Sequence, residues 1–317
     1  MANTAVKISV VGAGFVGSTI AYTLMIRGVA SEIVLVDVNA SRAEGEAMDI
    51  AHGAPFGQAA AIRAGGYEAA AGSDLVIITA GTNQKPGETR IDLIARNASI
   101  MRACAEGVAA NCPDAVVMVV SNPVDVMAYV AQLATGFPKE RVIGSGTVLD
   151  SARFRYLLGR EFGVDPRNIH GYILGEHGDS EFPAWSLVSV AGMPIDEAAA
   201  MFAGPSGAAF DEAARERVAQ DTRDAAYQII DRKGATYYGI GMSATRLAEA
   251  IVRDEHSIMS VSTLLSGEYG VEDVYLSVPA VLGQHGVERV LTPRLAEGEL
   301  AELRRSAELL REARSQL

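Results

Sequence analysis

Short, nearly continuous apolar runs alternate with longer stretches of helical period along the first half of the chain. Lys7-Ile8-Ser9-Val10-Val11, Glu32–Val36, Asp74–Ala80, Ala115–Val120 and Arg141–Ile143 have the character of strands buried on both faces. Between them, helical spacing is expected through Ile20, Leu24 and Met25 to a stop at Gly28, and near residues 41–52, 91–110 and 125–134. This alternation predicts an α/β fold with a parallel, doubly wound sheet of the Rossmann type. After about residue 145 the pattern changes. A helix over about 148–162 is followed by strand-like runs around His170–Leu174 and Trp185–Val190. Helices over about 211–231 and 241–253 come next, and the tail from Leu295 is rich in Glu, Arg, Leu and Ala at helical spacing. The expected organisation is a Rossmann-type domain over residues 1–145 and an α+β domain over 146–317.

Composition narrows the function without naming it. With 49% hydrophobic and 21% charged residues among 317, the chain reads as an ordinary soluble globular protein with a sizeable core. A formal charge of −12 argues against a nucleic-acid or anionic-membrane binder, because phosphate affinity needs clustered cations. Cys104 and Cys112 are too few for a disulfide framework and suit a reducing compartment. With no basic-then-apolar leader and no run long enough for a membrane span, a cytoplasmic protein is expected.

The first strand runs into Gly12-Ala13-Gly14-Phe15-Val16-Gly17, and Asp37 closes the second strand, twenty residues after Gly17. Gly12 permits a tight turn, Gly14 lets backbone amides approach a pyrophosphate, and Gly17 allows close packing of helix on strand. The helix N-terminus favours phosphate charge. Asp37 can accept hydrogen bonds from ribose hydroxyls and would repel a 2′-phosphate, which favours NAD over NADP.

Candidate chemistry lies in three further segments. Asn83-Gln84-Lys85-Pro86-Gly87-Glu88-Thr89-Arg90 follows a strand, where open α/β sheets bind ligands, and has the makings of a lid. Asp150 and Arg153 stand three apart on the first helix of the second half and share a face. Arg155 is turned about 140° from Asp150 and points elsewhere. Taken alone, an Asp–Arg pair such as Asp150 and Arg153 is more often a surface ion pair than a site. Gly175-Glu176-His177-Gly178-Asp179-Ser180-Glu181 puts a histidine in a polar loop, where an exposed setting is expected. A histidine held by a carboxylate is an acid/base group near neutral pH, and an arginine beside it would grip a substrate carboxylate. The five histidines show no metal-ligand spacing, so no metal is expected.

Gly12–Gly17, Asn83–Arg90, Ser121-Asn122-Pro123-Val124-Asp125, Gly144–Arg155 and Gly175–Glu181 follow one another in order over nearly the whole chain. Together they resemble the bacterial-type L-lactate dehydrogenases of the lactate/malate dehydrogenase family. That resemblance implies reversible, NAD-dependent reduction of pyruvate to L-lactate. His177 resembles the family's proton donor and acceptor, Asp150 its partner, and Arg153 the residue that pairs with the substrate carboxylate. Arg90 resembles the lid arginine that polarises the reacting carbonyl, while Asn122 and Thr236 resemble residues of the substrate pocket. Gly12, Gly14, Val16, Gly17, Asp37, Gly81, Asn122 and Ser145 match positions that contact NAD.

Gln84 occupies the position at which malate dehydrogenases of the family carry an arginine for the second carboxylate of oxaloacetate. A glutamine cannot neutralise that charge, so pyruvate is the expected substrate and malate dehydrogenase the disfavoured alternative. A non-catalytic NAD-binding regulator is a further alternative, which the presence of His177, Asp150, Arg153 and Arg90 together disfavours. Arg155 and His170 match residues that bind fructose 1,6-bisphosphate across a two-fold interface in activated relatives. The resemblance therefore also implies this effector and a homotetramer.

Overall fold

The computed structural model describes residues 5–82, 90–202 and 209–316, with Arg90 and Ile91 described by their backbone alone. Asn83–Thr89, including Gln84, lie outside the described residues, as does the Arg90 side chain. The expected strands of the first half form as β1 (Lys7–Val11), β2 (Glu32–Val36), β4 (Leu75–Ile78), β5 (Val116–Val119) and β6 (Val142–Gly144), joined by an unforeseen β3 (Ala61–Ala64). They alternate with α1 (Phe15–Arg27), α2 (Ala40–Gly53), the short α3 (Tyr67–Ala70), α4 (Arg90–Asn111) and α5 (Val124–Thr135). All six strands are parallel, in the order β6-β5-β4-β1-β2-β3. The order reverses between β4 and β1, and a crevice opens beyond the strand ends at such a switch point.

Successive strand residues face opposite ways, so each apolar run feeds two cores. Ile8, Val10, Ile33, Leu35, Leu75 and Ile77 pack beneath α1 and α2, whereas Val11, Val34, Val36, Val76 and Ile78 pack beneath α4 and α5. Burial on both faces is why these strands read as unbroken apolar runs.

The second half begins with α6 (Val148–Phe162). The run around His170–Leu174 is broken into β7 (Ile169–His170) and β8 (Ile173–Leu174). The Trp185–Val190 run is corrected to a 3₁₀ turn over Trp185–Leu187 and a two-residue strand. The small strands β9 (Phe182–Pro183), β10 (Ser189–Val190) and β11 (Met193–Pro194) lead to α7 (Ile195–Met201), α8 (Glu212–Lys233) and α9 (Tyr238–Val252). Three long antiparallel strands that the hydropathy pattern did not announce follow, β12 (Ser257–Ser266), β13 (Glu272–Gly283) and β14 (Gly286–Val290). They extend the same sheet beyond β6 to nine strands, with Ser262 paired to Gly144. The sheet thus runs through the change of pattern near residue 145. The C-terminal α10 (Glu297–Arg314) buries Leu303, Ala307 and Leu310 in the core shared by α4 and α5. Among the described residues, no helix is long and apolar enough to cross a membrane.

Candidate active site

The glycine-rich turn and Asp37 meet at the carboxyl ends of β1 and β2. Gly12 has φ of +104°, and a Cβ there would lie 2.7 Å from Thr79 Oγ1. A Cβ on Gly17 would stand 1.8 Å from the Gly12 carbonyl oxygen, so any side chain there forces helix and strand apart. A Cβ on Gly14 meets nothing within 4 Å, which leaves open space beside the N-terminus of α1 for a phosphate. The Asp37 carboxylate accepts from the Ala13 amide at 2.7 Å and the Asn39 amide at 2.8 Å. It therefore braces the turn while keeping acceptor capacity for a ribose diol. Gly81, Asn122 and Ser145 follow β4, β5 and β6 at the same edge of the sheet. The Val16 side chain is half-buried on the first turn of α1. These residues fit a dinucleotide: open backbone for the phosphates and one carboxylate for the ribose.

Across the crevice, Asp150 projects from the first turn of α6 and is 1% exposed. One of its oxygens accepts from Arg153 Nη1 at 2.7 Å and the other lies 2.7 Å from His177 Nδ1. A carboxylate acceptor fixes the imidazole proton on Nδ1 and leaves Nε2 as the working nitrogen. Burial opposes the charged imidazole, but the Asp150 carboxylate outweighs it, helped by Glu181 and Asp125, and lifts the His177 pKa to about 9. Burial would likewise favour protonation of Asp150, yet His177 and Arg153 hold its carboxyl below the usual range. The His177 side chain is 25% exposed, more enclosed than its polar loop suggests.

Both halves of the chain match known domains. Residues 6–144 match the NAD-binding domain, and residues 147–316 the alpha/beta C-terminal domain, of lactate/malate dehydrogenase. The chain belongs to the lactate/malate dehydrogenase family. Its similar proteins include the L-lactate dehydrogenase of Acetivibrio thermocellus, 50% identical over 96% of this chain and 95% of that protein. The L-lactate dehydrogenase of Treponema denticola is 52% identical over 97% and 96%. Among solved structures, a minor L-lactate dehydrogenase from Enterococcus mundtii, in a ligand-bound form, superposes with a TM-score of 0.94 at 43% identity, covering 99% of both chains. A lactate dehydrogenase from a Medee basin deep-sea metagenome gives a TM-score of 0.94 at 44% identity, covering 98% of both chains. As a member of the lactate/malate dehydrogenase family, the chain is an NAD-dependent enzyme.

Other family-matched positions are spread over α4, α6 and the turn between α8 and α9. Arg90 begins α4, directly after Asn83–Thr89 in the chain. Thr236 is half-buried between α8 and α9 and, among the described residues, makes no hydrogen bond to the His177 cluster. Arg155 turns away from Asp150 and donates from Nε to the Ser151 carbonyl at 3.2 Å. It lines a separate cavity of about 290 Å³ with His170, Tyr172 and Arg246.

The framework that holds the centre escaped notice in the sequence. Asp125, 2% exposed on α5, accepts from the His177 amide at 2.9 Å and from Ser262 Oγ at 2.5 Å. It thereby ties the Asn122 segment, the His177 loop and β12 together. Burial raises its pKa to about 6, against the pull of those two hydrogen bonds. Buried Asn97 on α4 joins Thr82 to the Asn122 carbonyl. On α10, Ser306 accepts from the Glu176 amide at 2.6 Å. Each of these residues is an ordinary helical or strand letter until the fold gives it a partner. Asp125 alone had a signal, as the last residue of Ser121–Asp125.

Proposed function

We propose that the chain is an L-lactate dehydrogenase that interconverts pyruvate and L-lactate. The observation that carries this reading is the buried Asp150 carboxylate shared by His177 and Arg153. The relatives at about 50% identity, named L-lactate dehydrogenases, support it.

Bound through the glycine turn, Asp37, Val16, Gly81, Asn122 and Ser145, NAD supplies the hydride donor or acceptor. The chain's own residues do the rest. Arg153 presents the part of its guanidinium not used by Asp150 to the substrate carboxylate. His177 Nε2 faces the C2 oxygen and delivers its proton as pyruvate is reduced. It recovers that proton when lactate is oxidised. Asp150 holds the ring in one tautomer and offsets the charge of the imidazolium. Arg90, entering α4 from the lid segment, polarises the carbonyl when the lid closes, and Asn122 and Thr236 complete the pocket wall.

Gln84 sets the choice of substrate. Enclosing the second carboxylate of oxaloacetate without a cation costs several kcal/mol. Steady-state kcat/KM with NADH tests the reading directly. Pyruvate is expected to exceed oxaloacetate by roughly 100-fold or more, and Gln84→Arg to shift the ratio toward oxaloacetate. Equal values for the two substrates in the unaltered enzyme would overturn it.

Regulation is the second part of this reading, favoured by one observation. Arg155 and His170 share a cavity, and among the described residues Arg155 has no carboxylate partner. Burial lowers the pKa of its guanidinium, so a bound anion would relieve a desolvated charge. In a homotetramer two such pairs facing across a two-fold axis would repel one another, and fructose 1,6-bisphosphate would bridge them.

A further inference from the structure

Glu181 lies in the loop after His177, 6% exposed, immediately before β9. One of its carboxyl oxygens lies within 4.8 Å of both a His177 ring nitrogen and an Asp150 oxygen. Two buried carboxyls therefore face one imidazole. Asp150 receives the hydrogen bonds of His177 and Arg153, whereas the Glu181 carboxyl receives none among the described residues. The first carboxyl is equipped to stay charged and the second is not. Like charges this close in a buried site do not both ionise without a large penalty.

This arrangement matters for the charge the pocket can accept, given the pyruvate and lactate reading on which the inference rests. Before Arg90 arrives with the lid, ionised Asp150, Arg153 and protonated His177 leave one positive charge in this cluster to meet one substrate carboxylate. An ionised Glu181 would cancel that charge before the substrate arrived. We propose that Glu181 is a positioning residue, and that the fraction of it still ionised takes up a proton from solvent as the substrate carboxylate settles on Arg153. The added anion raises further a proton affinity that burial and Asp150 have already raised. The pocket then encloses one added anion with no second carboxylate opposing it.

The charges around Glu181 do not remove the conflict. Arg223 of α8 attracts it, as does Arg305 of α10, but Glu302 and Glu312 of α10 line the same cavity of about 520 Å³. Its own loop adds Glu176 and Asp179, and buried Asp125 stands beyond His177. Burial, then Asp150, push the Glu181 carboxyl well above the ordinary range despite His177, Arg153 and Arg223. That direction agrees with the geometry.

The test counts protons. Oxamate, an isostere of pyruvate that is not reduced, is titrated calorimetrically into the full-length enzyme saturated with NADH. Titrations at pH 7 and pH 8, in buffers of different ionisation enthalpy, give the proton uptake per site. His177, with a pKa of about 9, is already largely protonated at both values and contributes little. The wild-type enzyme is expected to take up roughly half a proton or more at one or both pH values. Glu181→Gln, which mimics the protonated acid, is expected to take up almost none. The KM for pyruvate should rise severalfold from pH 6 to pH 8 in the wild type and stay nearly flat in Glu181→Gln. An uptake near zero in the wild type at both pH values overturns the proposal, as does equal uptake in the variant. Uptake that survives Glu181→Gln and disappears in Asp125→Asn assigns the proton to Asp125 and also overturns it. Pyruvate turnover by the same wild-type sample checks the substrate independently of the proton count. The wild-type count stands even where a variant folds poorly.

Discussion

In the proposed reaction His177 is an acid in one direction and a base in the other, and Asp150 sets the pH at which it changes over. With its pKa at about 9, pyruvate reduction is expected to hold a steady kcat up to near pH 9 and fall above it, while the KM already responds to pH below that through Glu181. Lactate oxidation needs the neutral ring and is expected to rise through the same pH. A reduction profile that breaks near 6.5 would show that Asp150 does not couple to the ring. Asp150→Asn removes the counter-charge, and reduction at pH 7 should fall by roughly 100-fold or more, with the break moved to lower pH. The same shift bears on stability. A histidine whose pKa is raised on folding adds stability that is complete below about 6.5 and is lost as pH rises through about 9. The melting temperature should therefore drop between pH 7 and pH 10, and His177→Asn should flatten that drop. Arg153→Lys keeps the charge and loses the fork, so kcat/KM for pyruvate should fall by roughly 10- to 150-fold. Gly17→Ala puts a methyl against the Gly12 carbonyl, and NADH binding followed by fluorescence should be lost or severely weakened.

At the scale of elements, the site is a junction where several segments are tied by buried side chains. Asp125 holds the first turn of α5, the His177 loop and β12 at one point. Asp125→Ala orphans the buried Ser262 hydroxyl, at about 1–3 kcal/mol, and removes the partner of the part-buried His177 amide. Chemical denaturation should show a matching fall in midpoint, and kcat should fall with it because the His177 loop loses its tether. These ties explain what the pattern of residues revealed and what it hid. The β1 to β6 strands were legible because burial on both faces leaves only apolar letters. In β12 and β13 the letters are mixed: Ser260, Ser262, Thr263 and Ser277 are buried there. Two of those serines hydrogen-bond to the Ile173 carbonyl and to Asp125, so a polar letter in this strand signals a partner across the fold. Pro279 lies within β13, where a residue without an N–H is disfavoured in a central strand, and it pairs with Ser260 all the same. The Trp185–Val190 run failed in the opposite sense, apolar enough for a strand yet mostly a 3₁₀ turn packed on α6 and Phe210.

For the whole molecule, one nine-stranded sheet carries the cofactor edge from the first half and joins it to strands from the second. The groups proposed to receive hydride and proton are therefore set on a common rigid base. The assembly reading is also tested at this scale. Activity at low pyruvate is expected to rise on adding fructose 1,6-bisphosphate, and Arg155→Gln to abolish the rise while leaving activity at saturating pyruvate in place. An unchanged curve in the wild type would dismiss the effector. Sedimentation of the same samples reports whether a tetramer forms. The sequence by itself determined the doubly wound half and the glycine turn with Asp37, and it singled out His177, Asp150, Arg153 and Gln84 as candidates. Those features are local or periodic, and a single segment carries each of them. Tertiary structure decided the rest: that Asp150 serves His177 and Arg153 together, that Asp125 tethers the loop, and that Glu181 adds a second buried carboxyl. The physical reason is that charge coupling depends on separation and burial. Residues such as Asp125 and Ser262, 137 positions apart in the chain, acquire both only when the sheet closes.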